Sequence, residues 1–259
     1  MAGSIPRADR TASDGSPYPD RNRPTFERDV RAMFTHIAVR YDWFDHVASL
    51  GNDYLWRPRA LWDLERRRSD RPTRRILDIG CGTGDLTRQA ARRFPSARVV
   101  GADFTPAMLQ RATELTGDGH RPGQVDFAGA SALHLPFRSA SFDVVMSAFV
   151  ARNLPSLPLA FRELRRVLTP GGTLLTLEIT EPPSALIGSM FHAYFDRVVP
   201  WLGAAVKSAG PYRYLPESLR HLPATPRMLE LLREAGYDQA VASRQSFGIV
   251  TSFFAEVAR

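Results

Sequence analysis

Apolar positions recur along this chain with two different periods, and the switch between them divides it. Over Phe26–Val39, Val30, Met33, Phe34 and Ile37 follow helical spacing. Tyr54–Glu65 repeats it with Leu55, Leu61, Trp62 and Leu64, and Tyr41–Leu50 between them is aromatic-rich and irregular. From Arg75 short apolar runs take over. Ile76–Ile79, Val99–Ala102, Val125–Ala128, Phe142–Ala148 and Thr173–Ile179 read as strands. Asp85 to about Phe94, Pro106–Leu115 and Leu159–Leu168 read as helices between them. Strands alternating with helices predict a parallel sheet covered on both faces, with right-handed crossovers.

After Ile179 the rhythm breaks. Residues 182–222 hold Phe191, Tyr194, Phe195, Trp201, Tyr212 and Tyr214, the composition of a helical insertion packed over a sheet edge. Pro226–Ala235 reads as a helix stopped by Gly236, where a left-handed residue is wanted. Strands near Gln239–Ser243 and Ser246–Val257 would complete the sheet. The expected fold is therefore α/β: a Rossmann-like, mostly parallel seven-stranded sheet with helices on both faces, N-terminal helices and a helical insertion. Residues 1–24, rich in Pro, Arg, Asp and Ser, read as a disordered tail. Residues 25–259 read as a single domain.

Composition changes this picture little. Of 34 basic residues only Lys207 is lysine, and net charge is +7. Such a balance favours anionic surfaces, but the arginines are scattered. The densest run, Arg66-Arg67-Arg68 to Arg74-Arg75, sits beside a helix end and reads as a solvated terminus suited to the dipole. Nucleic acid is not an expected partner. The lone cysteine, Cys81, excludes an internal disulfide and a cysteine zinc cluster, and reads as a small residue fitted into a turn. No apolar run reaches the 18–20 or so residues of a membrane span, and no apolar signal core is present. A cytoplasmic protein is expected, at most peripheral at the inner membrane face.

The chemistry concentrates at Asp78-Ile79-Gly80-Cys81-Gly82-Thr83-Gly84. A strand ends there and turns through three alternate glycines into a helix. Glycine admits positive φ and close approach of a ligand. Asp103, nineteen positions after Gly84 and at the end of the next strand, can take both hydroxyls of a ribose. The spacing is G-x-G-x-G, not the G-x-G-x-x-G of dinucleotide enzymes. Asp85 opens the helix, where a carboxylate repels a pyrophosphate. A cofactor with a sulfonium and an amino-acid end has no phosphate and tolerates Asp78 and Asp85. S-adenosylmethionine is the expected cofactor. Ser131-Ala132, just before Leu135-Pro136-Phe137, lies in the loop after the third strand and can contact an adenine. Arg165–Gly172 reads as a structural helix-to-strand turn.

These features resemble class I S-adenosylmethionine-dependent methyltransferases, and the flanking segments narrow the resemblance. Met33-Phe34, Ile37-Ala38, Arg40-Tyr41-Asp42, Trp56-Arg57, Cys81–Asp85, Asp103-Phe104 with Met108-Leu109, and Leu135–Phe137 are similar to the demethylmenaquinone and ubiquinone-precursor C-methyltransferase family. So are Phe149 with Arg152-Asn153, Leu177-Glu178 and Tyr212–Ser218, in order from about Val30 onward. Two positions depart from that family's pattern. Val150 follows Phe149 where glycine is usual, and Ser252-Phe253-Phe254 lacks a histidine common near there.

The resemblance implies methylation of a ring carbon on a prenylated quinol. It implies cofactor contacts from Asp78, Gly80, Gly82, Thr83, Gly84, Asp103, Phe104, Ser131, Ala132 and Ala148, and catalytic roles for Arg152, Asn153 and Tyr41. Arg152 would stabilise phenolate charge or hold a water that takes the proton. Asn153 would orient a quinol oxygen, and Tyr41 would close the pocket or polarise an oxygen. The 182–222 segment would wall the prenyl tail, and a bilayer-borne tail implies transient membrane docking. A homodimer is compatible with the sequence. His36, His192 and His221 share no metal-binding spacing, and methyl displacement needs no metal. The alternative acceptor is a soluble secondary metabolite, on the same fold.

Overall fold

The computed structural model describes residues 25–37, 51, 53–117, 119, 123–198, 214 and 217–259. The proposed tail at 1–24 and Tyr41 lie outside them. The helices are α1 (Phe26–Ile37), α2 (Asp53–Arg67), α3 (Asp85–Arg93), α4 (Pro106–Thr116), α5 (Leu157–Val167), α6 (Ala185–Ala193) and α7 (Thr225–Glu234). The strands are β1 (Arg75–Ile79), β2 (Arg98–Asp103), β3 (Val125–Gly129), β4 (Phe142–Ala148), β5 (Leu168–Ile179), β6 (Gln239–Gln245) and β7 (Val250–Glu256). They form one seven-stranded sheet in the order β3-β2-β1-β4-β5-β7-β6, parallel except for β7, which pairs antiparallel with both β5 and β6.

Both faces are covered because successive strand residues point to opposite sides. Ile76, Val144, Met146 and Phe254 pack with Trp56, Leu61 and Leu64 of α2 and Leu86 and Ala90 of α3. Their neighbours Leu77, Val145 and Phe253 pack with Phe161 and Leu164 of α5 and Met228 and Leu232 of α7. This double burial is why the strands are apolar runs instead of alternating ones. Chain order reverses between β1 and β4, and the crevice beyond their carboxyl ends is where such sheets hold ligands.

Several elements depart from the apolar pattern. Ser246–Gly248 is a turn with left-handed φ of 46°, 58° and 92°, and β7 starts only at Val250. Trp56 Nε1 donates to Ser246 Oγ at 2.8 Å, tying that turn to α2. β5 starts at Leu168, directly after α5, with Leu168 beside Phe142, and the register then jumps to Thr173 beside Val144. Arg68 and Arg71 hold the resulting bulge. Arg68 Nη1 donates to Gly171 O (3.1 Å) and Thr173 Oγ1 (3.0 Å), and Arg71 Nη1 to Gly171 O (2.6 Å). Arg68 is thus buried, which corrects the expectation that the whole arginine run is solvated. Its hydrogen bonds to the bulge outweigh a helix-end position in water. Within 182–222 the described part comprises residues 182–184, α6, a π-helical turn at Tyr194–Val198, Tyr214 and residues 217–222.

Candidate active site

The turn after β1 is built as its glycines require. Gly80, Gly82 and Gly84 have φ of 63°, 54° and 82°, left-handed values that side chains rarely adopt. A Cβ on Gly80 would stand 2.5 Å from Val150 Cγ2. Gly80 therefore also lets the β4 turn pack against the β1 turn. Cys81 is buried in this turn, and burial together with Asp78 and Asp103 pushes its thiol well up. It is an inert packing residue.

Asp103 closes the turn from the next strand. Its Oδ2 accepts from Gly82 N at 3.0 Å and its Oδ1 from Thr105 N at 2.8 Å. Burial raises its pKa, and those backbone N–H groups oppose the rise. Asp78 is fully enclosed and accepts from Thr87 Oγ1 at 2.6 Å. Burial pushes its pKa up to about 7, against the pull of Thr87 and Arg57. Asp85 lies 3.5 Å from Arg57 and 3.9 Å from Arg88. Its charge is partly compensated, so it repels anions less than its place at the helix start suggests.

A cleft opens at the switch point, with about 690 Å³ of space counting its mouth. That is within the size range of small-molecule sites. Gly80, Gly82, Asp103, Phe104, Ser131, Ala132, Ala148 and Asn153 line it, all of them expected from the sequence. Asp78, Thr83 and Gly84 are not on its wall. Asp78 and Thr83 are buried beneath it, and Gly84 is the N-cap of α3. Sequence reasoning did not anticipate α1 as a wall. Glu27 and Phe34 face the cleft, Ser131 Oγ donates to Glu27 Oε1 at 3.1 Å, and the Arg31 guanidinium stacks on Phe104 at 5.4 Å. Phe34 carried a signal in its apolar period, and Glu27 carried none.

At the other end the turn after β4 is strained and pinned. Phe149 has φ of 62°, an unusual value for a bulky residue. Its N–H donates to Leu177 O at 2.7 Å. Glu178 Oε1 accepts from Val150 N (2.9 Å) and Ala151 N (2.7 Å). Arg152 is buried, with Nη1 4.0 Å from Glu178 Oε2, and its guanidinium lies 5.8 Å from the Phe149 ring centre. It does not line the cleft. Asn153 does, and Tyr214 Oη donates to Asn153 Oδ1 at 2.9 Å, joining the 182–222 segment to the cleft.

The donor set fits S-adenosylmethionine. Asp103 offers a fixed, buried carboxylate to a diol. Phe104, Met108, Ala132 and Leu154 offer apolar surface to a purine. Gly80 and Gly82 present bare backbone to the cleft, while the Cys81 and Thr83 side chains are buried away from it.

Comparison with known proteins agrees with this geometry. A family model described as the ubiE/COQ5 methyltransferase family matches residues 23–256. A demethylmenaquinone methyltransferase of Thermus thermophilus is 43% identical over 209 residues, spanning 79% of this chain and 91% of that protein. A ubiquinone/menaquinone biosynthesis C-methyltransferase of Pseudomonas paraeruginosa is 39% identical over 223 residues, spanning 85% and 86%. Among solved structures, a SAM-dependent methyltransferase from Aquifex aeolicus superposes with a TM-score of 0.58 at 14% identity, covering 84% of this chain and 98% of that one. Haemonchus contortus phosphoethanolamine N-methyltransferase 2, in complex with S-adenosyl-L-methionine, gives 0.56 at 18%, covering 78% and 52%. The structural likenesses establish the fold. The match over nearly the whole chain, with relatives of this identity, places the chain in the ubiE/COQ5 methyltransferase family.

Proposed function

We propose that the protein methylates a ring carbon of a prenylated quinol, a demethylmenaquinol or related precursor, using S-adenosylmethionine. The observation that carries this is one cleft with Asp103 at one end and Asn153 at the other, in a chain 43% identical to a demethylmenaquinone methyltransferase. A soluble secondary metabolite as acceptor is not favoured by such relatives. The cofactor supplies an electrophilic methyl on a sulfonium sulfur. Asp103 holds its ribose hydroxyls, and Phe104, Met108 and Ala132 enclose its base. Gly80 and Gly82 give it room beside the backbone. Asn153, its amide fixed by Tyr214, orients a quinol oxygen. Correct alignment and exclusion of water are the main demands on such a displacement. α1 meets the second demand by covering the cleft with Glu27 and Phe34. We assign Tyr41, outside the described residues, to closing the same pocket.

A neutral ring carbon is a poor nucleophile, and loss of a phenolic proton enriches the ortho carbon. The buried Arg152 cation favours that loss. A prenyl tail resides in a bilayer, so the substrate end should touch a membrane. Leu186 and Met190 of α6 and Phe247 are 73%, 66% and 81% exposed, and Gly248 lies against Pro183, just before α6. Co-sedimentation with phospholipid vesicles tests this contact, and absence of binding refutes it. The function itself is tested with labelled S-adenosylmethionine and a panel of demethylated prenylquinols, identifying products by mass. Failure on every menaquinone and ubiquinone precursor overturns it.

A further inference from the structure

Glu178 holds more capacity than its anchoring role uses. Its Oε1 bonds Val150 N and Ala151 N and so pins the strained turn at Phe149. That task leaves Oε2 over. Oε2 is buried, has no hydrogen-bond partner among the described residues, and stands 4.0 Å from Arg152 Nη1. Arg152 Nη1 and Nε are likewise buried and unpartnered. Such a gap is too long for a direct hydrogen bond. Leaving three charged-group atoms unmet inside a protein is costly, and it occurs where a site needs them. Arg152 lies between Phe149 and Asn153, the first and last residues of the turn, and both face the cleft. The turn thus separates the cleft from the pair by one layer of chain.

We propose that Glu178 is the proton-holding residue of the reaction, acting through Arg152. Before the chemistry Glu178 is ionised and neutralises Arg152. The quinol O–H bond breaks, water relays the proton along Arg152, and a new O–H bond forms on Glu178 Oε2. Glu178 becomes neutral, and Arg152 is left as an uncompensated cation. The charge lost from the carboxylate reappears on the quinol oxygen, across the turn from that cation. The ortho carbon then attacks the methyl, the sulfur keeps the bonding pair, the C–H proton of that carbon passes to water as the ring regains aromaticity, and Glu178 returns its proton to the quinol oxygen. Glu178 is thus a positioning residue for charge, and Arg152 transmits its state. This rests on the quinol reading above.

The electrostatics permit the cycle. Burial pushes the Glu178 pKa up to about 7, against the pull of Arg152 and of the Ala151 and Val150 N–H groups. Arg152 is the one charged side chain acting on it among the described residues. β7 places only the neutral Thr251 opposite it. A carboxyl titrating there gives and takes a proton near neutral pH, as acid–base work requires.

The test is Glu178→Gln, whose amide oxygen still accepts from Val150 N and Ala151 N. With S-adenosylhomocysteine bound, 1-naphthol is titrated into the wild type and the variant at pH 8, and naphtholate absorbance and proton release are read. The expected result is naphtholate bound without proton release in the wild type, where Glu178 keeps the proton, and about one proton released to the buffer per naphtholate in Glu178→Gln, with S-adenosylmethionine affinity within about twofold by calorimetry. On the quinol, kcat should fall about 10²- to 10⁴-fold with KM little changed. The rise of kcat through about pH 7 should vanish, and Glu178→Asp should restore it in part. Equal proton release by the two proteins on binding naphtholate, or an unchanged pH profile, overturns the proposal. So does loss of cofactor affinity in parallel with kcat, which marks Glu178 as an anchor only. If the wild type methylates no quinol, the functional reading fails, and the naphtholate titration still decides the role of Glu178.

Discussion

Replacing Gly80 with alanine tests the packing of the two turns that form the cleft. The new Cβ would meet Val150 Cγ2 at 2.5 Å and Cγ1 at 2.9 Å. Contacts that short force a shift, and overpacking of this kind costs about 1–3 kcal/mol. The backbone at φ 63° adds about 1–2 kcal/mol for a residue with a Cβ. The sum is about 2–5 kcal/mol. At about 2–4 °C per kcal/mol for a chain of this size, Tm should fall by roughly 4–20 °C. Val150→Gly removes the obstructing methyls and leaves the backbone strain. The double variant should therefore regain the steric part, a coupling of about 1–3 kcal/mol in a double-mutant cycle. Thermal melts of the four proteins measure it, and calorimetry with S-adenosylmethionine follows the cleft in parallel. Costs that add within about 0.5 kcal/mol would refute the Gly80–Val150 contact as the reason for glycine here.

Three further outcomes follow from the geometry. Asp103→Ala should weaken S-adenosylmethionine binding by about 10- to 100-fold in calorimetry, since hydrogen bonds to a charged group are worth about 1.5–3 kcal/mol; unchanged affinity would remove Asp103 from the ribose site. Asp78 has a folded pKa raised to about 7 from 3.8. A raised carboxyl pKa contributes stability that is fully present below about pH 4 and lost as pH rises to about 7. At about 1.4 kcal/mol per pH unit that loss is about 4 kcal/mol. Denaturant melts should show Asp78→Asn less destabilised than the wild type between pH 4 and pH 8, and parallel curves would refute the shift. Tyr214→Phe removes the bond to Asn153 Oδ1. It should lower kcat on the quinol with cofactor affinity unchanged, and a loss of cofactor affinity instead would place Tyr214 on the wrong side of the cleft.

Much of the fold was legible in the sequence, because it depends on local patterns. Apolar runs such as Ile76–Ile79 and Phe142–Ala148 are strands because both faces of the sheet are covered, and the glycine turn is legible because glycine is the residue that adopts φ near 60° without strain. The same local rule failed for Ser246–Gly248. Gly248 is the one local sign of a break there, and a bond from Trp56, 190 positions away, ties the left-handed turn to α2. It failed for Arg68 too, since a helix-end arginine looks solvated until Gly171 and Thr173 come to meet it.

The sequence by itself determined most element types, the glycine turn from Asp78 to Gly84, and the carboxylate Asp103 at the end of the next strand. These follow from backbone conformations and strand periods that neighbouring residues dictate. Only the tertiary structure decided how β4 and β5 bring their ends together. It put Asn153 on the cleft and set Arg152 behind it against Glu178. It also laid α1 along the cleft and joined Tyr214 to Asn153. Those arrangements depend on contacts between residues 26 to 104 positions apart, and no local period records which buried charge will face which.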